Sequence, residues 1–153
     1  MLWASDPAEF DARFTVQGGP GVWYASSQAP AAWAELFGHF TLRGIDPFEV
    51  RRRAGAARVE DLRVLDLTDP AVREVVDLTE ADLIGDDYSR TQQIALAAAE
   101  AGFDGILAPS AALPGRMTLA VFPSGMVKVS AVRDTVRTAP PRLRVLSPRV
   151  RRR

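Results

Sequence analysis

Apolar residues recur along the chain in short blocks, and the spacing inside each block says which element it builds. Ala29, Ala32, Trp33, Leu36, Phe37 and Phe40 follow the i, i+3, i+4 rhythm of one helix face. Ser26, Ser27 and Gln28 precede them as starting residues, and Pro30 suits a first helical turn. Glu35 lies off the centre of this stripe, one turn before His39, so the aromatics hold the helix down while Glu35 looks out from its flank. Ahead of the helix, Gly18-Gly19-Pro20-Gly21 forms a turn cluster leading into a short buried strand at residues 22–25.

The second half alternates in the same way. Residues 63–67 read as a strand, and Asp69-Pro70 supplies an N-cap and a first-turn proline for a helix over about 70–76. Residues 82–88 read as a loop. Ser89 and Gln92 fit a capping box for the helix that follows, which stops at Gly102, the place for a left-handed C′ residue. Residues 103–108 form a strand, 109–116 a loop and 119–122 another strand. Ser124-Gly125 then turns the chain into 126–132, which alternates apolar and polar like a half-exposed hairpin strand. Helices and strands intermix without a regular βαβ rhythm, which predicts an α+β fold rather than a doubly wound sheet.

Composition narrows the chemistry. A chain of 153 residues, 47% hydrophobic and 25% charged, fits one compact domain and excludes a disordered or disulfide-stapled one. Nineteen basic residues balance nineteen acidic ones, yet six of the arginines stand at 142, 144, 149, 151, 152 and 153 with no acid among them. Without those six, thirteen basic residues face nineteen acidic ones, a net charge of −6. The chain therefore divides into a globule over residues 1–138 and a basic Pro/Arg-rich extension over 139–153. That extension suits an anionic nucleic acid or an acidic partner, or is simply a solvated tail. The start of the chain lacks a basic stretch followed by an apolar one, and no run approaches the ~20 apolar residues that span a bilayer. A cytoplasmic protein is expected.

There is no cysteine and one histidine, His39. Thiolate chemistry is excluded, and a metal site would fall to carboxylates. No metal is expected. Asp86-Asp87 read as caps or solvated charge. The chain contains no GxGxxG after a strand, no GxxxxGK[ST] and no GxSxG. A Ser–His–Asp triad would have to run through His39, which reads instead as a satisfied or solvent-facing helical histidine.

One ordered constellation goes further. Arg13-Phe14, Trp23-Tyr24-Ala25-Ser26, Glu35 within AAWAELFGHF, Tyr88 ahead of Gln93-Ile94-Ala95, and Gly105 to Ser110 follow one another, with eleven residues from Arg13 to Tyr24 and eleven more to Glu35. Over roughly residues 2–135 this resembles the RES domain, named for its Arg, Glu and Ser, the toxin half of bacterial RES–Xre toxin–antitoxin pairs. Members often carry an Asn in the last loop, where this chain has Met117-Thr118.

The resemblance implies a fold like the ADP-ribosyltransferase toxins, with a mixed, largely antiparallel sheet and flanking helices. It implies NAD+ as substrate rather than cofactor, and no other cofactor. Cleavage of the nicotinamide–ribose bond passes through an oxocarbenium-like state, which a carboxylate near the ribose stabilises; Glu35 is the candidate. Arg13 suits the anionic pyrophosphate. Tyr24 offers a flat face for nicotinamide and a hydroxyl at the pocket rim. Ser110 is placed to donate to the nicotinamide amide or a ribose oxygen, and Tyr88 to cap the site. The catalytic set is thus Glu35, Arg13 and Tyr24, with Arg13, Tyr24, Ser110 and Tyr88 binding NAD+. An Xre-type antitoxin is the implied partner, nucleic acid being reached only through it, and a homodimer is compatible. Glycohydrolysis and phosphorolysis fit the residues equally. Transfer of ADP-ribose to a protein, or a non-enzymatic binding module using the basic tail, are the alternatives.

Overall fold

The first helical stripe and the strand before it fold as their spacing dictates. In the computed structural model, which describes residues 2–4, 12–131 and 136–138, β1 (Leu2–Ala4) is followed by β2 (Trp23–Ser26) and α1 (Ala29–Leu42). Gln28 is the N-cap of α1, and a proline sits in its first turn. Next come β3 (Arg52–Ala54), β4 (Ala57–Val59), β5 (Val64–Asp66), α2 (Pro70–Val75), α3 (Glu80–Ile84) and α4 (Ser89–Glu100). The chain then forms β6 (Gly105–Pro109), β7 (Met117–Val121), a 3-10 turn at Pro123–Lys128, β8 (Val129–Ala131) and β9 (Val136–Thr138). The basic extension expected over 139–153 lies outside the described residues.

Five strands form the main sheet in the order β1-β2-β7-β6-β5, antiparallel throughout except for the parallel pair β5–β6. That pair needs a long crossover, and α2, α3 and α4 supply it. This is the expected α+β class with a mixed, mostly antiparallel sheet. Register aligns Tyr24, Ala120, Ile106 and Leu65 in one row across four strands. Tyr24, Ala120 and Ile106 are buried in the main core with Phe14, Leu67, Leu83, Ala95 and Ala98, so α3 and α4 cover this part of the sheet. Two residues along, Ala108 and Thr118 pair on the same face, and both are buried. Ser110 extends the ladder one step beyond β6 by donating its N–H to Arg116 O. The row that builds the core thus runs on into the polar residues of the site. On α1, Ala32 and Trp33 form a second buried cluster with Leu36 and Ala54.

Four expectations change. Residues 82–88 are not all loop, because α3 occupies Glu80–Ile84. Its Thr79–Asp82 capping box satisfies two helix-end N–H groups that an eye tuned to Glu or Gln at the fourth place passes over. The Ser89–Gln92 box does not form. Tyr88 is the N-cap of α4, Ser89 bonds Asp87, and the Gln92 amide reaches back to Ala12 and Thr15 instead. Residues 126–128 turn as 3-10, and β8 pairs with β4 rather than making a hairpin on the preceding strand; residue 132 lies outside the described residues. Finally, β1, β3 and β4 are three-residue strands, too short to leave a periodic trace in the sequence.

The stop of α4 is as expected: Gly102 takes φ +80, with Gly102 N–H bonded to Ala99 O and Phe103 N–H to Ala98 O, a Schellman end. Gly105 has a different reason to be glycine. A Cβ there would run into Ala120 O on the neighbouring strand and lie 3.2 Å from Val121 Cα, both backbone atoms that cannot step aside. Gly105→Ala is therefore expected to lose about 1–3 kcal/mol in denaturant unfolding, as overpacked cores do. An unchanged midpoint would contradict this packing. Among the described residues, no helix is long and apolar enough to cross a membrane.

Candidate functional site

The site is built where the core row becomes polar. An open cleft of about 520 Å³, counting the solvent space at its mouth, has Arg13, Tyr24, Glu35, His39, Tyr88 and Thr118 on its walls. Four of the five sequence-predicted residues therefore line one cavity. The fifth, Ser110, lies behind the carboxylate.

Glu35 and His39 come from successive turns of α1, half-buried on the same side of the helix. Ser110 Oγ donates to Glu35 Oε1 at 2.7 Å, and Thr118 Oγ1 approaches the same oxygen at 3.4 Å. Ser110 is 4% exposed and accepts from Leu113 N–H, so its position is fixed from both sides. Its one proton is directed at Glu35 rather than at the cavity. In this geometry the serine orients the carboxylate. Among the described residues Oε2 has no partner, which leaves it to whatever enters the cleft.

Arg13 stands at the tip of a tight bridge, Ala12–Thr15, whose N–H groups bond each other's carbonyls. The Gln92 side-chain amide donates to Ala12 O and Thr15 O at 3.1 and 3.0 Å, tying this bridge to α4. The guanidinium lies over the Tyr88 ring, 5.0 Å from its centroid, and Nη1 donates to Asp82 O and Gly85 O at the end of α3. Partly buried, it is held below the ordinary arginine range by desolvation, with Tyr88 and Glu35 pulling the other way. Among the described residues Nε and Nη2 have no hydrogen-bond partner, and they remain available to an anion.

Tyr24 is 5% exposed, and its hydroxyl is not at the rim. It accepts Phe14 N–H at 3.2 Å and pairs with Thr15 Oγ1 at 2.7 Å. It therefore braces the bridge that carries Arg13. Burial pushes its phenol up to about 12 from the ordinary 10.0. The neutral form contributes stability below pH 10 that is lost as pH rises towards 12. Tyr24→Phe leaves Phe14 N–H buried without its acceptor and is expected to cost about 1–3 kcal/mol at neutral pH. The variant should also lack the alkaline decline between pH 10 and 12, read from unfolding midpoints across that range. A variant as stable as the parent at pH 7 would contradict the strut.

Two residues escaped the sequence reading. His39, expected as a satisfied or solvent-facing histidine, faces the cleft; its i+4 spacing from Glu35 was the available signal. Burial holds its imidazole below the ordinary 6.5, with Glu35 partly opposing, so it is neutral at pH 7. Thr118, noticed only as a departure in its loop, is 8% exposed and completes the hold on Glu35. Its signal was register, because it lies two residues from Ala120 on the core face of β7.

The RES domain profile matches residues 1–142. The Mycobacterium tuberculosis protein named "Probable NAD(+) phosphorylase Rv3189" is 52% identical over 147 residues, 96% of this chain and 70% of that one. The M. tuberculosis "NAD(+) phosphorylase MbcT" is 43% identical over 63 residues, which span 41% of this chain and 34% of that protein. The crystal structure of the M. tuberculosis MbcT–MbcA toxin–antitoxin complex superposes with a TM-score of 0.73 at 25% identity, covering 91% of this chain and 83% of that one. A profile match across nearly the whole chain, a long relative above half identity and a shared fold agree: the chain belongs to the RES domain family.

Proposed function

We propose that this chain is the toxin of a toxin–antitoxin pair and depletes NAD+ by breaking the nicotinamide–ribose bond, with phosphate as the acceptor. The observation that carries this reading is the Glu35 carboxylate, held through Oε1, in the same cleft as Arg13 with its guanidinium over the Tyr88 ring. An anchored negative charge suits the cationic ribose of the transition state, and the open guanidinium edge suits the pyrophosphate. The names borne by the relatives, NAD(+) phosphorylases, support phosphate over water.

In this reading Glu35 faces the ribose, Arg13 holds the pyrophosphate and Tyr88 flanks it. Tyr24 presents its ring to the cleft while its hydroxyl braces Arg13, and Ser110 aligns Glu35. The MbcT–MbcA complex supports an antitoxin protein as the partner; the Xre type is what the family resemblance implies, and NAD+ as an intracellular substrate implies a cytoplasmic site of action. The test is nicotinamide release from NAD+ by purified protein, with and without inorganic phosphate. The expected result is release that rises with phosphate and yields ADP-ribose 1″-phosphate. No release in either buffer from folded protein would sink the proposal.

A further inference from the structure

Glu35, His39 and Arg43 stand four residues apart on α1 and its C-cap. With a rise of 1.5 Å per residue, each step is about 6 Å along the helix, so a carboxylate, an imidazole and a guanidinium form one row. Glu35 and His39 lie in the cleft wall, and Arg43 is exposed at the helix end. Both neighbours act on the imidazole, Glu35 favouring its charged form and Arg43 opposing it. None of the roles assigned above uses His39 or Arg43.

The proposed reaction brings two anions to one carboxylate. NAD+ delivers a pyrophosphate, and the acceptor is itself an anion that must approach the ribose beside Glu35. Arg13, fixed over Tyr88 in the same cleft, serves the first. The second needs its own donor and its own positive charge, or repulsion from Glu35 keeps it away. We propose that α1 carries this acceptor subsite: the His39 imidazole and, one turn on, the Arg43 guanidinium receive inorganic phosphate beside Glu35. The inference rests on the reading of the chain as an NAD+ phosphorylase.

Desolvation keeps His39 neutral, so one ring nitrogen donates to a phosphate oxygen while the other stays able to accept a proton. Arg43 supplies the charge from the solvent edge. In the step, a phosphate oxygen forms a bond to the ribose carbon as the bond from that carbon to nicotinamide breaks. The bonding pair passes to the pyridinium nitrogen and neutralises it. Dianionic phosphate needs no proton transfer, and from the monoanion the one excess proton goes to His39.

Two measurements test the subsite, one of them independent of turnover. His39 is the chain's one histidine, so its imidazole gives a single set of NMR signals in untagged protein. Titration with inorganic phosphate at constant pH and ionic strength should move those signals saturably, and Arg43→Gln should weaken the binding about tenfold. In steady-state assays, His39→Ala and Arg43→Gln should each raise KM for phosphate about tenfold or more, while KM for NAD+ changes less than about threefold. Arg43 is exposed, so its variant keeps the test alive if His39→Ala fails to fold. Imidazole signals indifferent to phosphate, or an unchanged phosphate KM in Arg43→Gln, would overturn the subsite. A parent protein that cleaves no NAD+ would overturn the parent reading instead, and the NMR titration separates the two failures.

Discussion

Glu35→Gln yields a folded protein whose NAD+ cleavage is slower by about 10²–10³-fold, the range seen when one preorganised electrostatic contact to a transition state is removed. The substitution isolates charge from shape. Gln has the volume of Glu, and its carbonyl oxygen can still accept from Ser110 Oγ, which now lies 2.7 Å from Oε1. The Leu113 N–H bond to Ser110 is untouched, so the loop after β6 keeps its anchor. In the proposed reaction what disappears is the negative charge beside the ribose, where positive charge accumulates as nicotinamide leaves. Single-turnover nicotinamide release measures the loss, and a thermal melt within a few degrees of the parent shows the fold is kept. A Gln variant within about threefold of the parent rate would remove Glu35 from the chemistry. Ser110→Ala should lose less, about tenfold, because the serine acts through the carboxylate and Thr118 still reaches the same oxygen.

The parts of the fold that announced themselves in the sequence carry strong local chemistry. The apolar stripe of α1 and the Asp69-Pro70 start of α2 lie where spacing and capping put them, and Asp69 accepts Ala71 N–H at 2.8 Å. Gly102 ends α4 in the left-handed region, again by a rule that needs no tertiary partner. The misread parts depend on partners distant in sequence. Gln92 looked like half of a capping box, but its amide is drawn off by two carbonyls of the Ala12–Thr15 bridge some eighty residues away. Residues 126–132 looked like a hairpin strand, yet β8 within them (129–131) pairs with β4, some seventy residues away.

The site divides the same way. Arg13, Tyr24, Glu35, Tyr88 and Ser110 were legible as an ordered set, and four of them share the cleft. How each acts was not legible. Side-chain direction decides that Ser110 serves Glu35 and that the Tyr24 hydroxyl turns inward to Phe14 and Thr15. Glu35 and Arg13 follow one plan, each fixed by atoms behind it with one edge left to the cleft. That plan belongs to the folded backbone of β6, β7 and α3, and no residue spacing records it.

Arg13→Lys is expected to lower kcat/KM for NAD+ by about 10²-fold, with most of the loss in KM, although the positive charge is conserved. In the proposed function the arginine has two tasks that one planar fork performs together. Nη1 is held by Asp82 O and Gly85 O, and the guanidinium carbon sits over the Tyr88 ring, so the remaining N–H groups would meet an incoming pyrophosphate from a fixed place. A lysine ammonium is a compact point donor. It can fold back to the α3 carbonyls or reach the anion, but it cannot bridge both, and it has no plane to stack. A substrate without phosphates separates this account from a general loss of structure. Nicotinamide riboside keeps the scissile bond and lacks the pyrophosphate, so parent and Arg13→Lys should differ on it by less than about threefold. An equal penalty on NAD+ and on the riboside would mean that Arg13 shapes the cleft without reading the pyrophosphate. Arg13→Ala should widen the NAD+ gap further and also lower stability by about 1–3 kcal/mol, because two carbonyls at the end of α3 lose a charged donor.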